Sequence, residues 1–336
     1  MESDLIIQNI LSPPILFFFL GAFAFAVRSD LEIPAPLPKL FSLYLLLSIG
    51  FKGGIELYKE IEVSGLRGPV IPTVGSAILM SLTIPLICFF ILRFKFDVYN
   101  SAAISAAYGS ISAVTFITAE SFLQLQSIPY DGFMVAPLAL MESPAIIVGL
   151  LLVKFGSNSN IQNKRVIRFR SIFRESALNG SVFLLLGSLC IGFLTAAHNP
   201  ASLIKMNPFT DKLFYGAECF FLLDMGIVAS QRLVRLKKLG GFLITFSMIM
   251  PIFNAILGVF VAKLLNLPPG NALLFVVLCA SASYLAVPSA MRMTIPEAKA
   301  SYYISTTLGI TFPFNIIIGI PVYMTLVNKL IPSTGI

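Results

Sequence analysis

The chain contains no tryptophan and one histidine, His198. A zinc site built on histidines is therefore excluded. His198 stands at an expected helix end before Asn199-Pro200, and it reads as an interfacial residue rather than a proton carrier. Charge is scarce as well. Asp, Glu, Lys and Arg make up 12% of the 336 residues, about half the quarter usual for a soluble domain. The four cysteines are Cys88, Cys190, Cys219 and Cys279; none forms a CxxC pair and each lies in an apolar segment. They read as buried free thiols. No basic n-region precedes the first apolar segment, where Glu2 and Asp4 stand instead. That segment is expected to stay as a helix rather than be cleaved.

What is present is apolar. Hydrophobic residues make up 57% of the chain, phenylalanine alone supplies 30, and the mean hydropathy is +0.90. Uncharged apolar runs of about 18 residues or more read as membrane helices. The sequence predicts an all-α integral membrane protein with helices near 11–27, 37–51, 69–92, 101–119, 132–153, 176–197, 213–230, 241–262, 271–291 and 301–327. The formal net charge of +7 does not point to nucleic acid. The basic residues cluster in loops without interleaved aromatics, the pattern of cytoplasmic loops in membrane proteins.

Ten spans place both termini on one side. Loops on that side carry seven Lys and Arg, and those on the other carry sixteen. The basic side faces the cytoplasm, so both termini are expected outside, in a cell inner or plasma membrane. The 154–175 loop is the most basic, with Lys154, Lys164, Arg165, Arg168, Arg170 and Arg174. It is expected to be cytoplasmic and to contact lipid headgroups. It divides the chain into a first five-helix half, 1–153, and a second, 176–336.

The halves resemble each other. Leu46-Leu47-Ser48-Ile49-Gly50 matches Leu222-Leu223-Asp224-Met225-Gly226, and Ile84-Pro85 matches Met250-Pro251. Five such matches occur in the same order at offsets of 166 to 176 residues, which argues for a repeat. Five is odd, so the second copy starts from the opposite side: an inverted repeat, the plan of many secondary transporters.

Two serine-rich breaks are among the matches. Gly109-Ser110-Ile111-Ser112-Ala113 interrupts the fourth span, and Ala280-Ser281-Ala282-Ser283-Tyr284 interrupts the ninth. On a helix, residues two apart diverge by about 200° around the axis, whereas on an extended backbone they point the same way. Serines two apart therefore suit a short unwound segment. Such a segment bares N–H groups at the start of the next half-helix, where the dipole favours an anion. Paired breaks at mid-membrane depth mark a transporter's binding site. The expected substrate-binding residues are Gly109, Ser110, Ser112, Thr115, Ser281, Ser283 and Tyr284, on discontinuous helices 4 and 9 that meet near mid-membrane. No Lys or Arg lies in either break helix before Arg292, which fits a small monovalent anion better than a multiply charged one.

Three carboxylates stand out in apolar spans: Glu142, Glu218 and Asp224. Burying a charge in the bilayer costs roughly 2.5–3.5 kcal/mol on insertion scales. Glu142 and Asp224 are the candidates for coupling an ion, while Glu218 reads as interfacial. The serines have no base beside them and no histidine lies within a span, which counts against an intramembrane hydrolase. The chain is not expected to be an enzyme. A receptor without flux would have no use for the repeat, because alternating access is what that symmetry supplies.

These residues together resemble the sodium-dependent bicarbonate transporter family. The resemblance runs from Ser12-Pro13 to about Tyr323. It is carried by Lys52-Gly53-Gly54, Tyr108 through Thr115, Met141-Glu142-Ser143-Pro144-Ala145, Leu223-Asp224-Met225-Gly226, Ala280-Ser281-Ala282-Ser283, Pro288 through Arg292, and Ser301 through Pro313. It implies two inverted five-helix repeats, core and gate domains each drawn from both, and a homotrimer. Bicarbonate would sit between the break helices, moved by sodium symport, with sodium as the coupling ion and no other cofactor or metal. Ser112, Thr115, Ser281 and Ser283 match the family's site most directly. The alternative is another small anion or carboxylate with no ion coupling or a different one. Family members carry Asp after the second serine run, where this chain has Tyr284; that change implies weaker sodium coupling. Ala113 and Val114 replace a more polar pair. The central loop is also shorter than in members that bind a PII-like regulator on the cytoplasmic side.

Overall fold

A computed structural model describes residues 2–34, 36–65, 68–156, 180–235, 240–284 and 286–331. The expected cytoplasmic loop therefore lies almost wholly outside the described residues. Every regular element among them is helical. In chain order these are α1 (Glu2–Ile10), α2 (Pro13–Ala26), α3 (Pro36–Ser64), α4 (Val70–Leu92), α5 (Val98–Gly109) and α6 (Ala113–Leu125). Then come α7 (Val135–Leu140), α8 (Glu142–Gly156), α9 (Gly180–His198), α10 (Ala201–Asn207), α11 (Phe214–Arg235) and α12 (Gly241–Leu264). The chain continues with α13 (Pro269–Ala280), α14 (Ala286–Thr294), α15 (Ala300–Thr306), α16 (Phe312–Phe314) and α17 (Ile320–Leu330).

Eight helical stretches among the described residues are long and apolar enough to cross a membrane, or nine if the bent α1–α2 pair is one span. The difference from ten lies where the chain is broken. The expected ninth span is two pieces, α13 of 12 residues and α14 of 9. At about 1.5 Å per residue, neither alone covers the roughly 30 Å of hydrocarbon. The expected first span is the 14-residue α2. It starts at Pro13-Pro14, where prolines lose no hydrogen bond, and meets α1 at 61°.

Glycine does not end α3. The helix runs on through Lys52-Gly53-Gly54 to 29 residues; a span counted as only 15 residues was expected to be short, tilted or continued past these glycines, and it is continued. A Cβ on Gly54 would fall 2.0 Å from the Leu189 carbonyl oxygen, and one on Gly192 would fall 2.0 Å from that of Phe51. These glycines let α3 and α9 pack backbone to backbone, as small residues do between membrane helices. Gly21 and Gly226 do the same for α2 and α11: their Cβ positions lie 2.0 Å from the Leu223 and Phe18 carbonyl oxygens.

Two groups of helices result. In one, α9 lies along α3, α11 along α2, and α11 also meets α3. In the other, α4 packs on α5, α5 on α8, α12 on α13, and α13 on α17. The broken span 98–125 is 94% buried, against 22% for α9, so the break lies at the centre of the protein and α9 at its rim. Cys190 on α9 is exposed, unlike the other three cysteines, which corrects its reading as a buried thiol. Between α15 and α17 the chain makes two π-helical turns, Thr307–Thr311 and Asn315–Gly319. The second frees carbonyls that Asn9 of α1 satisfies, its amide donating to Ile316 and Ile317 at 2.8 and 3.1 Å.

Candidate functional site

Both breaks are extended where the serine spacing predicts it. Ser110 has φ −94° and ψ 178°, and Ser281 has φ −79° and ψ 171°. The first half-helices close in the same way: Ser110 N–H donates to Ala106 at 3.2 Å, and Ser281 N–H to Val277 at 2.9 Å. The second half-helices open in the same way. Ser112 Oγ accepts from Thr115 N at 3.2 Å, and Ser283 Oγ from Val287 N at 3.3 Å. Serine is a preferred N-cap because its short side chain satisfies an orphan N–H of the first turn.

The breaks also hold each other. Ser283 N–H donates to the Ala107 carbonyl at 2.8 Å. Ser112 N–H donates to Ser281 Oγ at 3.0 Å, and that hydroxyl donates on to the Leu278 carbonyl at 3.2 Å. A serine hydroxyl thus stands between Ser112 and the carbonyl corresponding to Ala107. Gly109 lets the first break lie close against α4, since a Cβ there would sit 2.0 Å from the Pro85 ring.

Two asparagines extend the correspondence outward. Asn100 at the start of α5 accepts from Lys299 N–H at 2.8 Å, just before α15. Asn271 at the start of α13 accepts from Asp131 N–H at 2.7 Å, just before the helical turn leading to α7. Asn100 and Asn271, Ser110 and Ser281, and Ser112 and Ser283 are each 171 residues apart. The asparagines were passed over in the sequence because they stand at span boundaries. Their shared offset was the available signal. Asp97 caps α5 ahead of Asn100. Burial pushes its carboxyl up, but hydrogen bonds from the Asn100 backbone and side chain outweigh this and hold it below its ordinary value.

A small cleft of about 40 Å³ opens at the crossing. Ser112, Ala113, Val114, Glu142, Ser283 and Tyr284 line it, with Ser42 and Leu46 of α3 and Ser181 and Val182 of α9 on the facing side. A water needs about 10–15 Å³ on such a measure, so the cleft suits an occupant of a few heavy atoms. The N–H groups of Ala113 and Val114 donate to no acceptor among the described residues. They lie at the positive end of α6. The Tyr284 hydroxyl and Ser110 Oγ are buried without a hydrogen-bond partner among the described residues.

The other expected residues fall around this cleft. Thr115 is buried behind it, donating its hydroxyl to Ser112 Oγ at 2.9 Å. Glu142 is buried at the start of α8 and lines it. Asp224 is half-buried on α11 and acts electrostatically on the Tyr284 hydroxyl. Glu218, read as interfacial, is 0% exposed within the protein. Glu120, buried on α6, was missed because the fourth span was expected to stop at 119. It lines a second cavity of about 470 Å³, together with Ile49 and Val135. There Lys52 pairs with Asp211.

The arrangement offers an anion two bare N–H groups, two capping hydroxyls and one tyrosyl hydroxyl, and offers a cation the Glu142 carboxyl. No curated protein sequence matches the chain closely. The family model of the Na+-dependent bicarbonate transporter superfamily matches residues 13–328, nearly the whole chain, and the chain belongs to that superfamily.

Proposed function

We propose that this protein carries bicarbonate, or a monovalent anion of similar size, across the membrane through the cleft at the crossing of the two breaks. The observation that carries the reading is the pair of half-helix starts, α6 and α14, at which Ser112 and Ser283 each accept from a first-turn N–H group and share one cleft. A helix start contributes about 0.3–1 kcal/mol toward an anion, and up to about 2 when partly buried. That favours negative charge at the cleft over a neutral occupant. Sodium is the coupling ion that the family supplies, with Glu142 and Asp224 as the carboxylates nearest the crossing.

The packing supports an inverted repeat of ten segments, two of them broken. Exchanging the halves turns the α3–α9 contact into α11–α2, α4–α5 into α12–α13, and α5–α8 into α13–α17, all of which occur. The paired asparagines and serines obey the same exchange. A gate of α2, α3, α9 and α11 around a core that holds both breaks follows from this, as does homotrimeric assembly from family membership. A PII-like regulator would meet the 154–175 loop.

The reading is tested by uptake into proteoliposomes holding the purified chain. Labelled bicarbonate is expected to accumulate and to be outcompeted by small monovalent anions but not by divalent ones. No uptake of any anion in such a panel would sink the proposal. Topology is tested separately, in a Cys190→Ser background because Cys190 is exposed. An impermeant thiol reagent is expected to label a cysteine added after Ile336 in intact cells and to miss Ser159→Cys. The reverse pattern would overturn the outside placement of the termini.

A further inference from the structure

Glu218 has no place in the anion cleft, and its surroundings pose a chemical problem. It projects from α11, in the group formed with α2 and α3, toward α6, which packs on α13 in the other group. The side chain is 0% exposed. Ser121 of α6 donates its hydroxyl to Oε2 at 2.6 Å. Oε1 is buried with no hydrogen-bond partner.

No cation answers this charge among the described residues. Lys52 of α3 is paired with Asp211, and Lys59 with Glu56 at 2.7 Å. α2 contains no ionisable side chain, and neither does the π-helical turn 307–311 that packs on α11. α15 brings only Tyr302 and Tyr303, the latter against Arg292. On α11 itself the neighbours are Tyr215 and Cys219. The turn 208–212 that packs on α11 brings Asp211, paired with Lys52, and Lys212, which is exposed, and α6 brings Glu120, another carboxyl. An isolated buried carboxylate costs far more than a buried carboxylic acid, so such a group takes up a proton instead.

Of the two carboxyl oxygens, Oε2 has the Ser121 hydroxyl and Oε1 has no partner among the described residues. A negative charge there would be answered by one hydrogen bond alone, and with Ser121 donating to Oε2, Oε1 is the oxygen left to carry a proton. Glu120 stands next to Ser121 in the chain and lines the 470 Å³ cavity that also holds Lys52 and Lys59.

We propose that Glu218 is a proton-binding site at the seam between the two helix groups, with the proton on Oε1, loaded through Glu120 from the larger cavity. The step is simple protonation: a carboxylate and a proton give a carboxylic acid, and no other bond changes. It depends on no particular transported anion.

Infrared difference spectroscopy on the full chain in lipid nanodiscs, at neutral pH without sodium or bicarbonate, tests this. Subtracting Glu218→Gln from the native spectrum is expected to leave one carbonyl stretch of a protonated carboxyl. Ser121→Ala, which removes the donor to Oε2, is expected to shift that same band, and it serves if Glu218→Gln does not fold. Carboxylate stretches in place of the carbonyl band would overturn the proposal. So would a carbonyl band that disappears on adding sodium at constant pH, because the carboxyl would then hold the metal ion. Failure of anion uptake would leave both readouts unchanged.

Discussion

Ser112→Ala and Ser283→Ala are each expected to cut anion uptake about tenfold while membrane expression stays near the native level. Ser112 Oγ accepts from both Thr115 N–H and Thr115 Oγ1. Its loss strands two buried donors, and an unmade buried hydrogen bond costs about 1–3 kcal/mol. Loss of an N-cap alone costs about 1 kcal/mol. A penalty of about 1.4 kcal/mol is a factor of ten, and it falls on the wall of the cleft. Ser283 Oγ carries a single bond, from Val287 N–H, so its loss bears more on the cleft than on the fold. Ser301 is exposed, and Ser305 is buried away from the cleft. Alanine at either is expected to leave uptake within about twofold of the native rate, since neither side chain lines the cleft and a surface change such as Ser301→Ala stays within about 0.5 kcal/mol. Native uptake by both cleft variants would place the site elsewhere.

The crossing was legible because its signal is local. Serines at i and i+2 inside an apolar run announce an extended segment, and a second such run at a near-constant offset announces a counterpart. The serine contacts with backbone follow from that spacing: a cap at Ser112, a cap at Ser283, and between them the Ser281 hydroxyl. Nothing in the spacing reveals which N–H groups remain bare, since the free donors of Ala113 and Val114 depend on what does not reach them.

Glycine left the end of the second span open. Lys52-Gly53-Gly54 reads as a helix end on propensity, but a 15-residue span is short for a bilayer and continuation was an alternative; α3 does continue, with Gly54 against α9 and Gly53 against Val135. Tertiary packing overrides a propensity cost of about 1 kcal/mol per glycine. The buried carboxyls were hard for a related reason. Glu120 lies one residue beyond an expected span end, and a hydropathy boundary is uncertain by several residues. Glu218 lies five residues into α11, where a helix start is usually wet. Its burial comes from α6, 97 residues distant in the chain. The number of spans was obscured by the second break, which leaves α13 and α14 each shorter than a span, and by the bend between α1 and α2.

Sodium dependence of uptake is expected to be weak in the native chain and to grow several-fold in Tyr284→Asp. A small cation needs oxygen ligands at close range. The Tyr284 hydroxyl is a ring-length from its backbone, buried and unpartnered, with its ring held 5.3 Å from that of Phe312. Aspartate would place a carboxylate near the backbone, in a cleft already lined by Ser112, Ser283 and Glu142. With sodium, that carboxylate completes an oxygen cage. Without sodium, it is a buried charge beside Glu142 and within reach of Asp224, which is costly. The melting temperature of purified Tyr284→Asp should therefore rise with added sodium, by a stabilisation of about 2.7 kcal/mol at a hundred times the dissociation constant. The native protein should change little. Potassium at equal ionic strength controls for screening. Strong, saturable sodium dependence in the native chain that the substitution leaves unchanged or abolishes would defeat this reading. It would assign the ion to a carboxyl already present, and Glu142→Gln and Asp224→Asn would then separate the two candidates, because only the true ligand's loss would raise the sodium concentration needed for half-maximal uptake.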